Sequence, residues 1–147
     1  MIIQTKYHGE VEVQESEALY FERGIPGFPE EKSFYVLPLS EDGIFLILQS
    51  AVSSSIAFII ANPFHFFKDY DFVLDDSIQK GLELVTADDV SVYSILTVEE
   101  PFKKTTANLQ APLVMNRKNN KAKQVILNDS KFHTKHRIFP EDVSEKG

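Results

Sequence analysis

Phe34-Tyr35-Val36-Leu37-Pro38-Leu39, then Ser40-Glu41-Asp42-Gly43, then Ile44-Phe45-Leu46-Ile47-Leu48-Gln49 is the stretch that decides the fold. Two short runs of apolar, strand-favouring residues flank an Asp-Gly pair, which is a strong hairpin signal because glycine reaches the positive φ that tight turns need. Working towards the N-terminus, residues 18–21 continue into Gly24-Ile25-Pro26-Gly27-Phe28-Pro29. There Gly24 and Gly27 supply positive φ and Pro26 fixes its own φ, which predicts a rigid corner. Residues 1–7 and 10–14 flank His8-Gly9, with Val11 and Val13 alternating against Glu10, Glu12 and Gln14. That period of two predicts a hairpin with one wet face.

Towards the C-terminus, residues 56–61 and 90–98 are continuous apolar runs of strand length, the first suited to a strand covered on both sides. Residues 113–115 and 124–127 predict two more strands, joined by the polar turn Asn116-Arg117-Lys118-Asn119-Asn120-Lys121. Helix is scarce. The best candidate covers residues 76–84, entered by Asp75 or Asp76 as N-cap, with Ile78, Leu82 and Val85 on one face and Gly81 weakening its interior. A second short turn is expected to begin at Thr86-Ala87-Asp88-Asp89, with Asp88 as its cap. Many strands separated by Gly/Pro corners indicate an all-β, mostly antiparallel, small barrel-like domain with one or two short helices. The expected domain covers residues 1–140, followed by a polar tail over 141–147.

Composition bounds the chemistry. The 147 residues suit one domain with a full core. The absence of cysteine excludes disulfides, thiol nucleophiles, zinc–thiolate sites and iron–sulfur clusters. The most apolar stretch, Ile56-Ala57-Phe58-Ile59-Ile60-Ala61, stops at Asn62-Pro63, too short to span a bilayer. Residues 1–7 lack the basic start and long apolar run of a signal peptide, so a cytoplasmic location is expected. Fifteen Lys and Arg against 22 Asp and Glu give a net charge of −7, which opposes binding to a phosphate backbone and favours a basic protein partner.

Motifs for catalysis or cofactors are missing: there is no Gly-x-Ser-x-Gly elbow, P-loop or dinucleotide fingerprint. Asp75-Asp76, Asp88-Asp89 and Glu99-Glu100 are adjacent carboxylates, which point to opposite faces of a strand and do not converge. His133 and His136 lie among Lys131, Lys135 and Arg137, and their imidazoles would meet only if the segment were helical. A solvated basic patch outweighs a metal site there. No cofactor and no enzyme activity are expected.

Two stretches suit protein docking. Asn62-Pro63-Phe64-His65-Phe66-Phe67-Lys68-Asp69-Tyr70-Asp71-Phe72 concentrates aromatics beside acids. Phe66, Phe67 and Phe72 are assigned to the core, whereas Asn62, Phe64, Asp69, Tyr70 and Asp71, extended by Asp75 and Asp76, are candidate partner-binding residues, with Pro63 breaking the strand. Thr105-Thr106-Ala107-Asn108-Leu109-Gln110-Ala111-Pro112 carries no histidine, carboxylate or glycine-rich cradle. Asn108 can bond nearby backbone, and Pro112 holds Ala111 extended, so the segment suits either a structural crossover or an exposed edge that accepts a partner, with Asn108 and Gln110 as contact candidates.

These motifs in order resemble the FliW family of flagellar assembly factors. The similarity rests on Phe21-Glu22-Arg23-Gly24-Ile25-Pro26-Gly27-Phe28, Phe45-Leu46-Ile47-Leu48-Gln49-Ser50, Asn62-Pro63-Phe64, Phe67-Lys68-Asp69-Tyr70, Thr106-Ala107-Asn108-Leu109-Gln110-Ala111-Pro112, Gln124-Val125-Ile126-Leu127 and Lys135-His136-Arg137. It departs where Phe132 or His133 replaces a tyrosine and Ile138 replaces a proline. The resemblance implies a small β-barrel-like fold and a non-enzymatic regulator. Such a protein binds cytoplasmic flagellin and, once flagellin is exported, binds the RNA-binding translational repressor CsrA away from its RNA surface, relieving repression of flagellin synthesis. The alternatives are a flagellin-directed export chaperone without an RNA-regulator partner, and a small-ligand-binding β-barrel.

Overall fold

Both faces of the central hairpin are buried, which is why its sequence is continuously apolar and does not alternate. In the computed structural model, which describes residues 1–139, the hairpin is β4 (Ser33–Pro38) paired antiparallel with β5 (Phe45–Ser50). Phe34, Val36, Leu46 and Leu48 face one apolar cluster, while Tyr35, Leu37 and Ile47 face another on the opposite side of the sheet. Gly43 turns the hairpin at φ +76°, as the Asp-Gly signal requires.

The remaining strands close this hairpin into a ring. They are β1 (Ile2–Thr5), β2 (Gly9–Glu12), β3 (Leu19–Phe21), β6 (Ala57–Ala61), β7 (Val90–Thr97), β8 (Thr106–Ala107), β9 (Leu113–Asn116), β10 (Lys121–Gln124) and β11 (His136–Arg137). The order β7-β6-β5-β4-β3-β10-β9 returns to β7 through pairing of Val90–Tyr93 with Leu113–Asn116, a closed seven-stranded barrel. Closure removes exposed sheet edges. All its pairings are antiparallel except β3 with β10, where Tyr20 pairs Lys121 and Phe21 pairs Ala122. The barrel is filled by Leu19, Phe21, Ile25, Phe34, Leu48, Ile60, Leu113, Met115 and Ala122, with Phe21 and Phe34 edge-to-face at 5.4 Å.

Two layers cover the outside. The β1–β2 hairpin lays Ile3 and, just beyond it, Val13 over Tyr35, Leu37 and Ile47. It is tied down where buried Gln49 accepts from the Lys6 N–H at 3.0 Å. On another side, Tyr70, Leu82, Leu109, Val125, Leu127, Phe132 and Ile138 pack over Ala61, Leu96 and Val114. This second layer contains α1 (Asp76–Gly81) and the C-terminal segments.

The Gly-Pro-Gly corner has unequal glycines. Ile25 and Phe28 exchange two backbone hydrogen bonds around Pro26 and Gly27. Gly27 has φ +91° with open space around its α-carbon, so it needs glycine only for its backbone angle. Gly24 has φ +67°, and a β-carbon there would lie 2.5 Å from the Phe28 carbonyl oxygen and 2.6 Å from the Pro29 carbonyl group.

Four expectations are corrected. The strand expected at residues 124–127 is β10, three residues earlier: the turn is tighter because Asn120 takes φ +62° and donates its N–H to Asn116 O at 2.8 Å. The helix expected to reach 84 ends at Gly81 because Glu83 turns left-handed at φ +56°. Leu84 N–H then bonds Gln79 O at 2.9 Å and Glu83 N–H bonds Lys80 O at 3.1 Å, a Schellman closure. Val85, expected on its apolar face, is 83% exposed. Asp88 caps nothing: Ala87–Asp89 is a 3-10 turn entered at Thr86 without a side-chain cap. The turn expected there is present. The tail over 141–147 lies outside the described residues.

Candidate protein-docking surface

The chain leaves β6 at Asn62, and local capping sets the path of the next residues. The Asn62 side-chain oxygen accepts from Phe64 N–H at 2.9 Å, starting the 3-10 turn Pro63–His65. Pro63 is buried at the first position of this turn, where its missing N–H costs nothing. Phe67 N–H bonds Pro63 O at 2.9 Å and Tyr70 N–H bonds Phe67 O at 3.1 Å, turning the chain onto the outer core. Phe66, Phe67 and Phe72 are half-buried against that core, as their assignment to packing requires.

Tyr70 is the anchor of this segment. It is buried, its ring lies 4.9 Å from Phe132 and 5.4 Å from Phe72, and its hydroxyl donates to Leu109 O at 2.7 Å. Burial pushes its pKa up, so the phenol stays protonated and donating. Expected as a contact residue, Tyr70 is instead buried beneath the acidic segment, joining it to residues 105–112. Phe64, 42% exposed, stands beside it with ring centroids 5.7 Å apart.

Asp69, Asp71, Asp75 and Asp76 are all exposed, and none forms a salt bridge among the described residues. Asp75 caps α1, accepting from Ile78 N–H at 2.9 Å and from the Ser77 hydroxyl at 2.8 Å. The Ile78 bond first, and the Ser77 bond second, hold its carboxyl below the usual range. Asp75 therefore keeps its charge, and all four carboxylates face solvent.

Residues 105–112 are arranged differently from an exposed edge. β8 is flanked by β7 and β11. Beyond it, Leu109 and Gln110 N–H groups bond His133 O at 3.1 and 3.2 Å, while Gln110 O and Pro112 O accept from Leu127 and Val125. Thr105, Ala107, Leu109, Ala111 and Pro112 are buried. The structural crossover prevails there, because the C-terminal segments occupy the edge. The expected self-bonding of Asn108 is present: its side-chain oxygen accepts from Gln110 N–H at 3.1 Å and Ala111 N–H at 3.0 Å. Asn108 and Gln110 are half-buried.

His133 and His136 do meet, without a helix. Their rings stack at 5.4 Å, and His133 N–H donates to His136 Nε2 at 2.8 Å. Among the described residues no three metal-ligating side chains cluster. Burial first, and the neighbouring His133 second, lower the His136 pKa. Neutral His136 is therefore favoured by folding. Its contribution is fully present above the unfolded value near 6.5 and is lost as pH falls through the lower folded value. Thermal unfolding followed from pH 8 to pH 5 is expected to show a decline that His136→Asn reduces; an unchanged decline in the variant would remove the assignment.

Two polar anchors escaped sequence reasoning. Asn116, read as part of a turn, ends β9 and is buried, donating to the Leu82 and Glu83 carbonyls at 2.8 and 3.2 Å. It fixes the end of α1 to the barrel. Glu31 accepts from the Ser50 and Ser53 hydroxyls, pinning the turn after β5. A polar residue closing an apolar run was the available signal at Asn116.

A cavity of about 450 Å³ opens beside β4 and β9 over Leu19, Val36, Tyr93 and Met115, with Glu12, Glu17 and Arg117 among its lining. No glycine lines it, so it does not provide the glycine-rich phosphate cradle of a nucleotide or flavin site. Among the described residues no helix is long and apolar enough to cross a membrane.

The described residues form a closed small barrel that carries an exposed acidic segment anchored by a buried tyrosine. The FliW protein family model matches residues 2–138, and the chain belongs to the FliW family. The flagellar assembly factor FliW of Bacillus licheniformis is 56% identical over 138 residues, covering 94% of this chain and 96% of its own length. That of Bacillus subtilis is 55% identical with the same coverage, and that of Geobacillus kaustophilus is 49% identical over 99% of this chain and 100% of its own. A crystal structure of the flagellar assembly factor FliW superimposes with TM-score 0.92 at 47% identity, covering 97% of this chain and all of that one.

Proposed function

We propose that the protein regulates flagellin synthesis in the cytoplasm by binding, not catalysis. It holds flagellin before export; once freed, it binds CsrA and relieves repression of flagellin translation. Membership of the FliW family supports the process. The observation that supports a basic partner is the set of exposed carboxylates Asp69, Asp71, Asp75 and Asp76, which form no salt bridge among the described residues, on a segment fixed from below by Tyr70. A −7 chain complements the basic surface of an RNA-binding protein. Asn62, Phe64, Asn108 and Gln110 are further contact candidates of this reading.

The acidic residues are spread over 10–22, 30–31, 69–76 and 88–89 and are not gathered in one phosphate-like run, which favours docking away from the RNA surface and coupling between the two sites. Such coupling is reciprocal. RNA titrated into a fixed mixture of CsrA and this protein is expected to lower the affinity between the proteins to a plateau. Displacement that obeys simple competition at every RNA concentration would overturn the separate-site mechanism. Pull-downs with flagellin and with CsrA distinguish this function from a flagellin-directed chaperone, which would retain flagellin alone.

A further inference from the structure

The segment after the 3-10 turn alternates in exposure and pairs with no strand among the described residues. Exposure alternates along residues 69–75: Asp69, Asp71, Val73 and Asp75 face solvent, while Tyr70, Phe72 and Leu74 turn to the core. A period of two is the signature of extended chain lying flat, with its N–H and C=O groups directed sideways along the surface. Elsewhere in the barrel such groups are paired. Here the main-chain N–H and C=O groups of Asp71, Phe72 and Val73 make no hydrogen bond among the described residues. Val73 is a second anomaly, a β-branched apolar side chain 89% exposed between carboxylates. The fold does not use it.

We propose that residues 69–75 form an edge for strand addition, occupied by an extended segment of a protein partner with lysine or arginine at alternate positions. The inference rests on the docking function above and specifies its mode. Main-chain bonds to residues 71–73 would supply affinity that is indifferent to sequence, and outward side chains would supply selection. Cross-strand neighbours lie about 4.5–5.5 Å apart, so cations at alternate positions of the added strand share the face of Asp71, Val73 and Asp75: two meet the carboxylates, and the methylene stem of the one between them covers Val73. Acidic strands are refused by like charge. The inward residues already belong to the core, so the edge is rigid before a partner arrives and little ordering is required on this side.

The full-length protein is tested with acetyl-Lys-Val-Lys-Val-Lys-Val-Lys-amide and with the corresponding glutamate peptide. Binding of the lysine peptide alone, with amide hydrogen exchange at residues 71–73 slowed at least tenfold, is the expected result. Val73→Pro removes one main-chain N–H at an exposed position where it makes no hydrogen bond among the described residues. This variant is expected to lose tenfold or more in affinity for the peptide and for CsrA, whereas Val73→Thr, which keeps the N–H and the β-branch, loses threefold or less. Unchanged exchange at residues 71–73 in the bound state, or a Val73→Pro variant that binds CsrA like the parent, would overturn strand addition. CsrA binding that persists in that case leaves the docking function standing, while absence of any CsrA binding by the parent defeats that function itself.

Discussion

Gly24→Ala is expected to lower the free energy of unfolding by roughly 3 kcal/mol, the combined scale of a left-handed backbone strain and an overpacked site. The added β-carbon would press on the backbone of Phe28 and Pro29, and backbone cannot swing aside as a side-chain tip can. Relief would require opening the turn in which Ile25 and Phe28 exchange hydrogen bonds, and Ile25 is part of the barrel filling. For a domain near 150 residues the loss corresponds to a fall in Tm of about 6–12 °C. Gly27→Ala carries the φ +91° strain with open space around it, so a cost of about 1 kcal/mol is expected. Calorimetry of both variants checks the argument. Equal shifts would show that the close approach at Gly24 is relieved elsewhere.

Replacing Asp69, Asp71, Asp75 and Asp76 together by asparagine is expected to slow association with CsrA at least tenfold at low ionic strength, the lower end of electrostatic steering. The change removes four exposed negative charges from a chain of net charge −7, leaving −3. Asparagine is the informative replacement because it caps a helix as well as aspartate, so the Asp75 bond to Ile78 N–H can persist and α1 remains. At about 0.15 M salt the Debye length is near 8 Å, and parent and variant rates should converge as salt rises further. Stopped-flow mixing at two ionic strengths provides the measurement. Identical rates and identical salt dependence would exclude this segment as the steering surface.

The barrel was legible in the sequence wherever apolar periodicity and turn chemistry agreed. The hairpin of β4 and β5, the first hairpin and the Gly-Pro-Gly corner all carry their geometry locally, in Gly9, Gly24, Gly27 and Gly43 at positive φ. The misplaced elements were decided by distant partners. Lys121-Ala122-Lys123-Gln124 has a polar sequence and turns only Ala122 into the barrel, so the neighbouring Val125-Ile126-Leu127 drew the assignment. Glu83 adopts a left-handed angle without being glycine or asparagine, and the carbonyls around it are held by Asn116 and Asn119 from across the domain. At the candidate site, exposed carboxylates were readable as a class. That Tyr70 supports the surface from beneath was not, because its hydrogen bond joins residues 39 positions apart.

The barrel's parallel pairing of β3 with β10, where Tyr20 meets Lys121, sets a schedule for biosynthesis. The two residues are 121 − 20 = 101 positions apart, and translation proceeds at about 5–20 residues per second, so β3 leaves the ribosome roughly 5–20 s before the strand that seals its free side. The hairpins between them can form as they emerge, whereas the ring cannot shut until the last fifth of the chain is made. Through that interval Phe21 and Phe34, later hidden in the centre of the barrel, lack the wall provided by β9 and β10. The nascent chain therefore depends on late synthesis to bury Phe21 and Phe34 fully.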